Sequence, residues 1–297
     1  MNHTAQSAEA AFLGGLDRLL QAKVEGFAGL VGIKVIDLAT GQSLAVNDEL
    51  TFAVASSIKI PLLIGMYRRA RAGELDVAAP LTVDDRRQAG GSGILQLLDH
   101  PVTLAVEDVA TLMINVSDNT ATNILIDMVG MDYVNDYLDQ LGLSAIRLRR
   151  KMMDGAAAAR GDENTGTPAA AAELMRLLWA GKIVDRALSD QVLRLLRKPI
   201  RKSPVRLYLP PDVSVANKPG WLEGVSSEWA LVELRRRPYV LCCVVNYGLA
   251  DDVEGFVAEL SRDVYGYFAV LDQSTRFGRR LPLDQLPVQV ERSDKLT

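Results

Sequence analysis

Ser56-Ser57-Ile58-Lys59 runs straight into the apolar stretch Ile60-Pro61-Leu62-Leu63-Ile64-Gly65-Met66. If a helix starts near Ser57, Ser56 stands at its N-terminus and Lys59 lies one turn on, on the same face. Pro61 fits only if this is a first turn, where a missing N–H costs little. A hydroxyl in such a place meets orphan backbone N–H groups and the positive end of the helix dipole, both favourable to developing negative charge. A lysine within hydrogen-bond reach accepts the hydroxyl proton if burial and nearby cations depress its pKa. Alone, the four residues carry little weight: Ser-x-x-Lys recurs by chance, and Ser56 can equally be a plain N-cap.

Working outward, the chain before this junction contains an amphipathic helix, Ala8 to Lys23, and two strands, Leu30 to Asp37 and Ser43 to Val46. Ala39-Thr40-Gly41-Gln42 turns between those strands. After it, Ser57 to Arg197 is mostly helical in pattern, broken at Gly90-Gly91-Ser92-Gly93 and again over Ala156 to Pro168. Strand character returns at Val213 to Asn217, Glu228 to Leu234 and Tyr239 to Asn246, with Arg235-Arg236-Arg237-Pro238 as a turn. A helix from about Asp252 to Tyr265 follows. The tail beyond Gln273 is rich in charge and proline and reads as loosely attached. Neither chain end alone supplies a credible sheet, so strands from both ends must meet in one antiparallel sheet. The helical middle then forms a second lobe, with a cleft at the join.

Two more polar motifs fall at the edges of these elements. Ser117-Asp118-Asn119 follows the helical run Val109 to Val116 and precedes another, Thr120 to Val129. Such a triplet normally makes a turn, with Asp118 or Asn119 capping the next helix. Lys218-Pro219-Gly220 ends the strand that starts near Val213, and Trp221 follows; a solvated turn lysine is the default reading.

Composition narrows the classes. The chain has 297 residues, 48% hydrophobic and 24% charged, enough for a sizeable core, and its net charge of −4 argues against a nucleic-acid partner. No apolar run approaches the ~20 residues that cross a bilayer, so no membrane partner is expected. Met1 to Ala11 has neither a basic nor an apolar signal region, which leaves a cytoplasmic protein or a mature form with an added Met. The two cysteines, Cys242 and Cys243, are neighbours on a strand, point to opposite faces, and read as buried thiols. Of the two histidines, His3 lies at a terminus and His100 precedes Pro101, so a Ser-His-Asp hydrolase has no imidazole in a persuasive context. Neither a zinc-spaced Cys/His cluster nor a Walker or dinucleotide loop is visible, so no metal or cofactor is expected.

In this order and spacing, S-x-x-K, S-D-N and a lysine-x-glycine triad make the chain resemble the class A β-lactamases and penicillin-binding proteins. The likeness extends from about Phe12 to Phe268. It includes the hairpin before Ser56, Met113-Ile114-Asn115-Val116 ahead of Ser117, and Gly161-Asp162-Glu163 with Thr167-Pro168. It implies a two-lobed α/β (α+β) fold in a single domain. The α/β lobe would be built from about 8–56 and 211–270, the helical lobe from about 57–210, and the tail from 273–297. It also implies a small-molecule substrate, a β-lactam, peptide-like amide or ester, and an envelope location. By the same resemblance Ser56 is the nucleophile, Lys59 its base or relay, and Ser117 the donor to the leaving nitrogen. Asn119 contacts substrate and orders Lys59, and Lys218 supplies positive potential for a carboxylate. The N–H groups of Ser56 and of Trp221, after Gly220, form the oxyanion hole.

The chain departs from that pattern twice. Pro219 stands where the family has a hydroxyl residue, which removes a donor for the substrate carboxylate. Met152 and Ala156 fall where class A enzymes place the water-activating glutamate and an asparagine. Asp154 is the only nearby carboxylate, either a replacement base or a structural loop residue. Three readings stay open: a β-lactamase-like serine hydrolase, a penicillin-binding or carboxypeptidase-like protein that acylates and turns over poorly, and a noncatalytic binding module. The clusters Arg147 to Lys151 and Arg197 to Lys202 read as solvated surface, and Trp229 as core or cleft.

Overall fold

Strands from the two ends of the chain are apolar on both faces, so the sheet they build must be covered on both sides. The computed structural model describes residues 3–99, 101–198, 203–248 and 253–286. His100, part of the second basic cluster and the end of the tail lie outside the described residues. The chain opens with α1 (His3–Glu25), β1 (Leu30–Asp37), β2 (Ser43–Val46) and a short β3 (Phe52–Ala53). A 3-10 turn, Ala55–Ile58, leads directly into α2 (Lys59–Arg71). The middle contains β4 (Pro80–Val83), β5 (Val102–Ala105), α3 (Val106–Asn115), α4 (Asn119–Val129), α5 (Met131–Gln140) and α6 (Gly155–Ala159). Next come β6 (Thr165–Gly166), α7 (Pro168–Ala180), α8 (Arg186–Leu196) and a second 3-10 turn, Pro204–Arg206. Strands β7 (Ser214–Leu222), β8 (Val225–Glu233) and β9 (Tyr239–Asn246) precede α9 (Val253–Asp272).

The main sheet is antiparallel, in the order β2-β1-β9-β8-β7. Its closure comes from β1 against β9, with Leu30 opposite Asn246 and Asp37 opposite Tyr239, joining the first strand to the last. One face packs on α1 and α9 through Leu16, Leu20, Val257, Leu260, Val264 and Phe268. On the other face, Trp229, Leu231 and Val240 meet Leu174, Met175 and Leu178 of α7 in a core that continues into α2 to α5 and α8. Trp229 is fully buried there and does not line a cleft. Cys242 belongs to this second core and Cys243 to the first, as adjacent strand residues require, and both thiols are free.

Within the stretch 57–210, α7 lies on the sheet, and one continuous core runs from it into α2 to α5 and α8. Two expectations change. Lys218-Pro219-Gly220 does not end its strand but sits within β7, where Pro219 pairs with Glu228. The missing N–H is tolerated because β7 is the edge strand. The tail is attached at least as far as Leu286: Ser274 bridges to Arg280, Arg236 donates to the carbonyl of Ser274 at 2.9 Å, and Leu286 is buried.

Gly32 of β1 shows how closely the covering elements approach. A Cβ there would lie 2.6 Å and 2.7 Å from ring atoms of Phe52 and 2.8 Å from Cγ of Pro168, the first residue of α7. Gly32→Ala is therefore expected to lower the unfolding free energy by about 1–3 kcal/mol in urea titration.

Candidate active site

Construction begins at the turn that presents Ser56. Ala55 is held in the left-handed region, at φ +44°. The Ser57 hydroxyl donates to the carbonyl of Lys218 at 2.9 Å, tying the turn to β7. Gly220 permits the contact: a Cβ there would stand 2.7 Å from both the Ser56 nitrogen and the Val54 oxygen. Ser56 is half-buried and borders two adjoining cavities of about 380 Å³ and 420 Å³. Trp221, exposed by 61%, borders both as well.

Behind the turn, Lys59 is fully buried. Its ammonium donates to the Ser117 carbonyl at 2.8 Å, the Ser117 hydroxyl at 3.0 Å and Asn119 Oδ1 at 3.0 Å. Lys218, equally buried, donates to the same Ser117 hydroxyl at 3.1 Å and to the Pro219 carbonyl at 2.7 Å. It is not a solvated turn residue. Burial holds the Lys59 pKa well below its ordinary value; the Lys218 charge pushes the same way and Asp118 opposes. Among the described residues, Ser56 Oγ has no hydrogen-bond partner, and Lys59 spends its bonds on Ser117 and Asn119. The α-helix itself starts at Lys59 rather than near Ser57, so Ser56 sits in the 3-10 turn ahead of it.

The triplet is a turn that also carries the site. Ser117 adopts φ +56°, which aims its carbonyl and hydroxyl together at Lys59. Asp118 caps α4 through the Ala121 N–H at 2.9 Å. The same buried carboxylate accepts the N–H groups of Ile94 at 2.7 Å and Leu95 at 2.8 Å. Gly93, at φ +124°, leaves no room for a Cβ beside Asp118. Asn119 donates to the Gly90 carbonyl at 2.9 Å, so the glycine-rich loop is moored over the cleft with Ser92 lining both cavities.

Across the cleft, the loop from Leu148 to Pro168 presents Met152. Asn123 grips its backbone, accepting the N–H at 2.7 Å and donating to the carbonyl at 3.1 Å. The buried Met152 side chain borders the larger cavity with Ser56 and Asn119. Arg150 was expected on solvated surface, yet it is buried and holds Glu163 through two bonds of 2.9 Å and 3.1 Å. Asp154 is exposed, borders neither cavity, and caps α6 by accepting the Ala157 N–H at 2.9 Å. Ala156 is exposed within α6.

The structure thus brings Ser56, Lys59, Ser117, Asn119, Lys218, Gly220 and Trp221 together and leaves Asp154 outside. Sequence reading missed Ser57, Asn123, Arg150 with Glu163, and Glu228, which borders the smaller cavity. Asn123 offered no signal, because its partner lies 29 residues away. No group of three or more His, Cys, Asp or Glu suited to a metal occurs among the described residues. None of their helices is long and apolar enough to cross a membrane.

An antiparallel sheet covered by helices on both faces, with a serine, two buried lysines and a bridging hydroxyl at its edge, defines a β-lactamase-like serine hydrolase. The model of the beta-lactamase enzyme family matches residues 15–268, and the chain belongs to that family. It is 27% identical to the beta-lactamase regulatory protein BlaB of Streptomyces cacaoi, over 73% of this chain and 84% of that protein. The crystal structure of a beta-lactamase from Sphaerobacter thermophilus matches at 29% identity and TM-score 0.78, over 91% of this chain and 98% of that one. A mutant of PBP-A, in an acyl-enzyme complex with penicillin G, matches at 27% identity and TM-score 0.78, over 86% of this chain and 97% of that one.

Asp118→Ala would strand three backbone N–H groups, two of them on the loop that covers the cleft. A buried unsatisfied donor costs about 1–3 kcal/mol, so the unfolding free energy should fall by at least about 2 kcal/mol. Hydrogen exchange should show lost amide protection at Ile94 and Leu95.

Proposed function

We propose that the protein forms an acyl-enzyme on Ser56 with β-lactam-like amides or related esters and releases it by hydrolysis. The observation that carries this reading is one hydroxyl, that of Ser117, held 3.0 Å from the Lys59 ammonium nitrogen and 3.1 Å from that of Lys218. Burial, helped by the Lys218 charge, lowers the Lys59 pKa and makes its amine a readier proton acceptor than a free lysine. Substrate entry brings Ser56 Oγ and Lys59 into bonding distance, since catalytic hydrogen bonds commonly tighten only in the complex. Ser56 Oγ then bonds to the acyl carbon and its proton passes to Lys59. The C–N bond breaks as Ser117 gives its proton to the leaving nitrogen and is reprotonated from Lys59. Charge on the carbonyl oxygen is met by the N–H groups of Ser56 and Trp221, which Gly220 allows to lie close together. Asn119 orients Lys59 and faces the acyl side chain.

Deacylation rests on different residues. Met152 occupies the wall beside Ser56 and its thioether is no base, while the Asp154 carboxylate is committed to a helix cap. This favours a second reading, in which the protein behaves as a penicillin-binding type that acylates faster than it releases. A noncatalytic binding module accounts poorly for two buried lysines, because each buried charge costs several kcal/mol that binding alone does not call for.

Incubation with a chromogenic cephalosporin and a p-nitrophenyl ester, followed by turnover and intact mass, separates these outcomes. Sustained turnover with a transient Ser56 adduct supports the hydrolase, and one stoichiometric burst with a persistent adduct supports the slow-release reading. If no acyl donor labels Ser56, both are lost and the binding module remains; Ser56→Ala should abolish any adduct. A general base is worth about 10²–10⁴-fold in the step it serves, so Met152→Glu should speed adduct release by that order without faster formation. Asp154→Asn should leave the release rate unchanged, and a trapped adduct would restore Asp154 as the base.

A further inference from the structure

Beyond Lys218 the smaller cavity runs over the edge strand β7 to reach β8. Pro219 and Glu228 are paired directly, so they share a face of the sheet, while Lys218 projects from the other. Glu228 is 1% exposed and borders the cavity with Ser56, Ser117, Lys218 and Pro219. Its Oε1 accepts from the Ser203 hydroxyl at 2.5 Å and its Oε2 from Asn217 Nδ2 at 3.0 Å. Asn217 Oδ1 in turn accepts from Arg206 Nε at 2.8 Å. The carboxylate is therefore fixed in place rather than free to swing away.

Two cations interact with Glu228, Lys218 from β7 and Arg206 from the second 3-10 turn, while the exposed Glu254 of α9 borders the same cavity. Cys242 and Cys243 of β9 are buried thiols whose pKa is pushed up, so they stay neutral. The described lining of this cavity thus sets two carboxylates against one ammonium, and Pro219 offers no donor of its own.

We propose that Glu228 is a specificity-determining residue: when ionised it offsets the Lys218 charge, so the cleft disfavours acyl donors bearing a carboxylate beside the scissile bond and favours neutral amides and esters. The inference rests on acylation of Ser56 as read above. Burial raises the Glu228 pKa from 4.5 to about 7, against the opposing bonds from Ser203 and Asn217 and the Lys218 charge. Below that value the group is neutral and no longer offsets the Lys218 charge. Above it, the negative charge returns. Preference for an anionic over a neutral donor accordingly falls as pH rises through about 7. Titration of Lys59 acts on both donors alike and cancels in their ratio.

The test uses one chromogenic cephalosporin as its free acid and as its methyl ester. Second-order acylation of Ser56 is followed by intact mass from pH 5.5 to 8.5 (roughly the span on either side of the Glu228 titration). In the wild type, the acid-to-ester rate ratio should drop by roughly tenfold across that range. In Glu228→Gln, which keeps a polar group for Ser203 and Asn217, the ratio should be flat and higher than wild type at pH 8. A flat wild-type ratio, or a variant that follows the wild-type profile, overturns the proposal. If the variant does not fold, the wild-type profile alone decides. Absence of a Ser56 adduct with either donor is a different result, since it removes the acylation reading itself.

Discussion

Two lysines buried beside one hydroxyl are the constraint around which this molecule is arranged. Taking an ammonium out of water costs several kcal/mol even after relaxation, and a second one nearby adds repulsion. The cost is met locally. Lys59 has three acceptors, Lys218 shares Ser117 and takes the Pro219 carbonyl, and the Asp118 charge lies close by. The lysines and their acceptors come from α2, from the turn before α4 and from β7, so the helices and the sheet edge must dock together for the charges to be tolerable. Burial first, and that repulsion second, leave Lys59 easier to deprotonate than a free lysine.

Hydrogen bonds from polar side chains to the backbone hold that arrangement. Asp118 gathers N–H groups from its own helix and from the glycine-rich loop, Ser57 hooks the turn that carries Ser56 to β7, and Asn123 holds Met152 by both its N–H and its carbonyl. Each is a polar group fixed by hydrogen bonds in a low-dielectric interior, where such bonds are strong and their loss is costly. The cleft thereby holds Ser56 beside the lysine pair, as the proposed acylation requires. Its opposite wall is apolar at Met152, and its far end carries the Glu228 carboxylate. Ser56, Met152 and Glu228 thus stand on three walls of one cavity system.

Much of this was legible from residue order. Strands β1, β2 and β9 begin and end where apolar runs and turn residues place them, because each is bounded by polar punctuation. Strand β7 continues through Pro219 and Gly220 to Leu222, past the Asn217 at which strand character fades in the sequence, because an edge strand tolerates a missing N–H. Arg150 reads as solvated among its basic neighbours, and its bonds to Glu163 and to the Lys151 carbonyl are seen only in the folded chain.

The sequence by itself determined the sheet-and-helix architecture, the three polar motifs and the absence of a carboxylate at Met152, because these depend on residue type and on spacing along one element. Tertiary structure alone decided which of the polar groups meet. It put Ser117 between Lys59 and Lys218, residues 58 and 101 positions away from it, and it turned Asp154 to a helix cap. It also set Glu228 opposite Pro219 at the end of the cleft. The physical reason is that hydrogen bonds and charge interactions act over a few ångströms, and only the folded chain brings such distant residues that close.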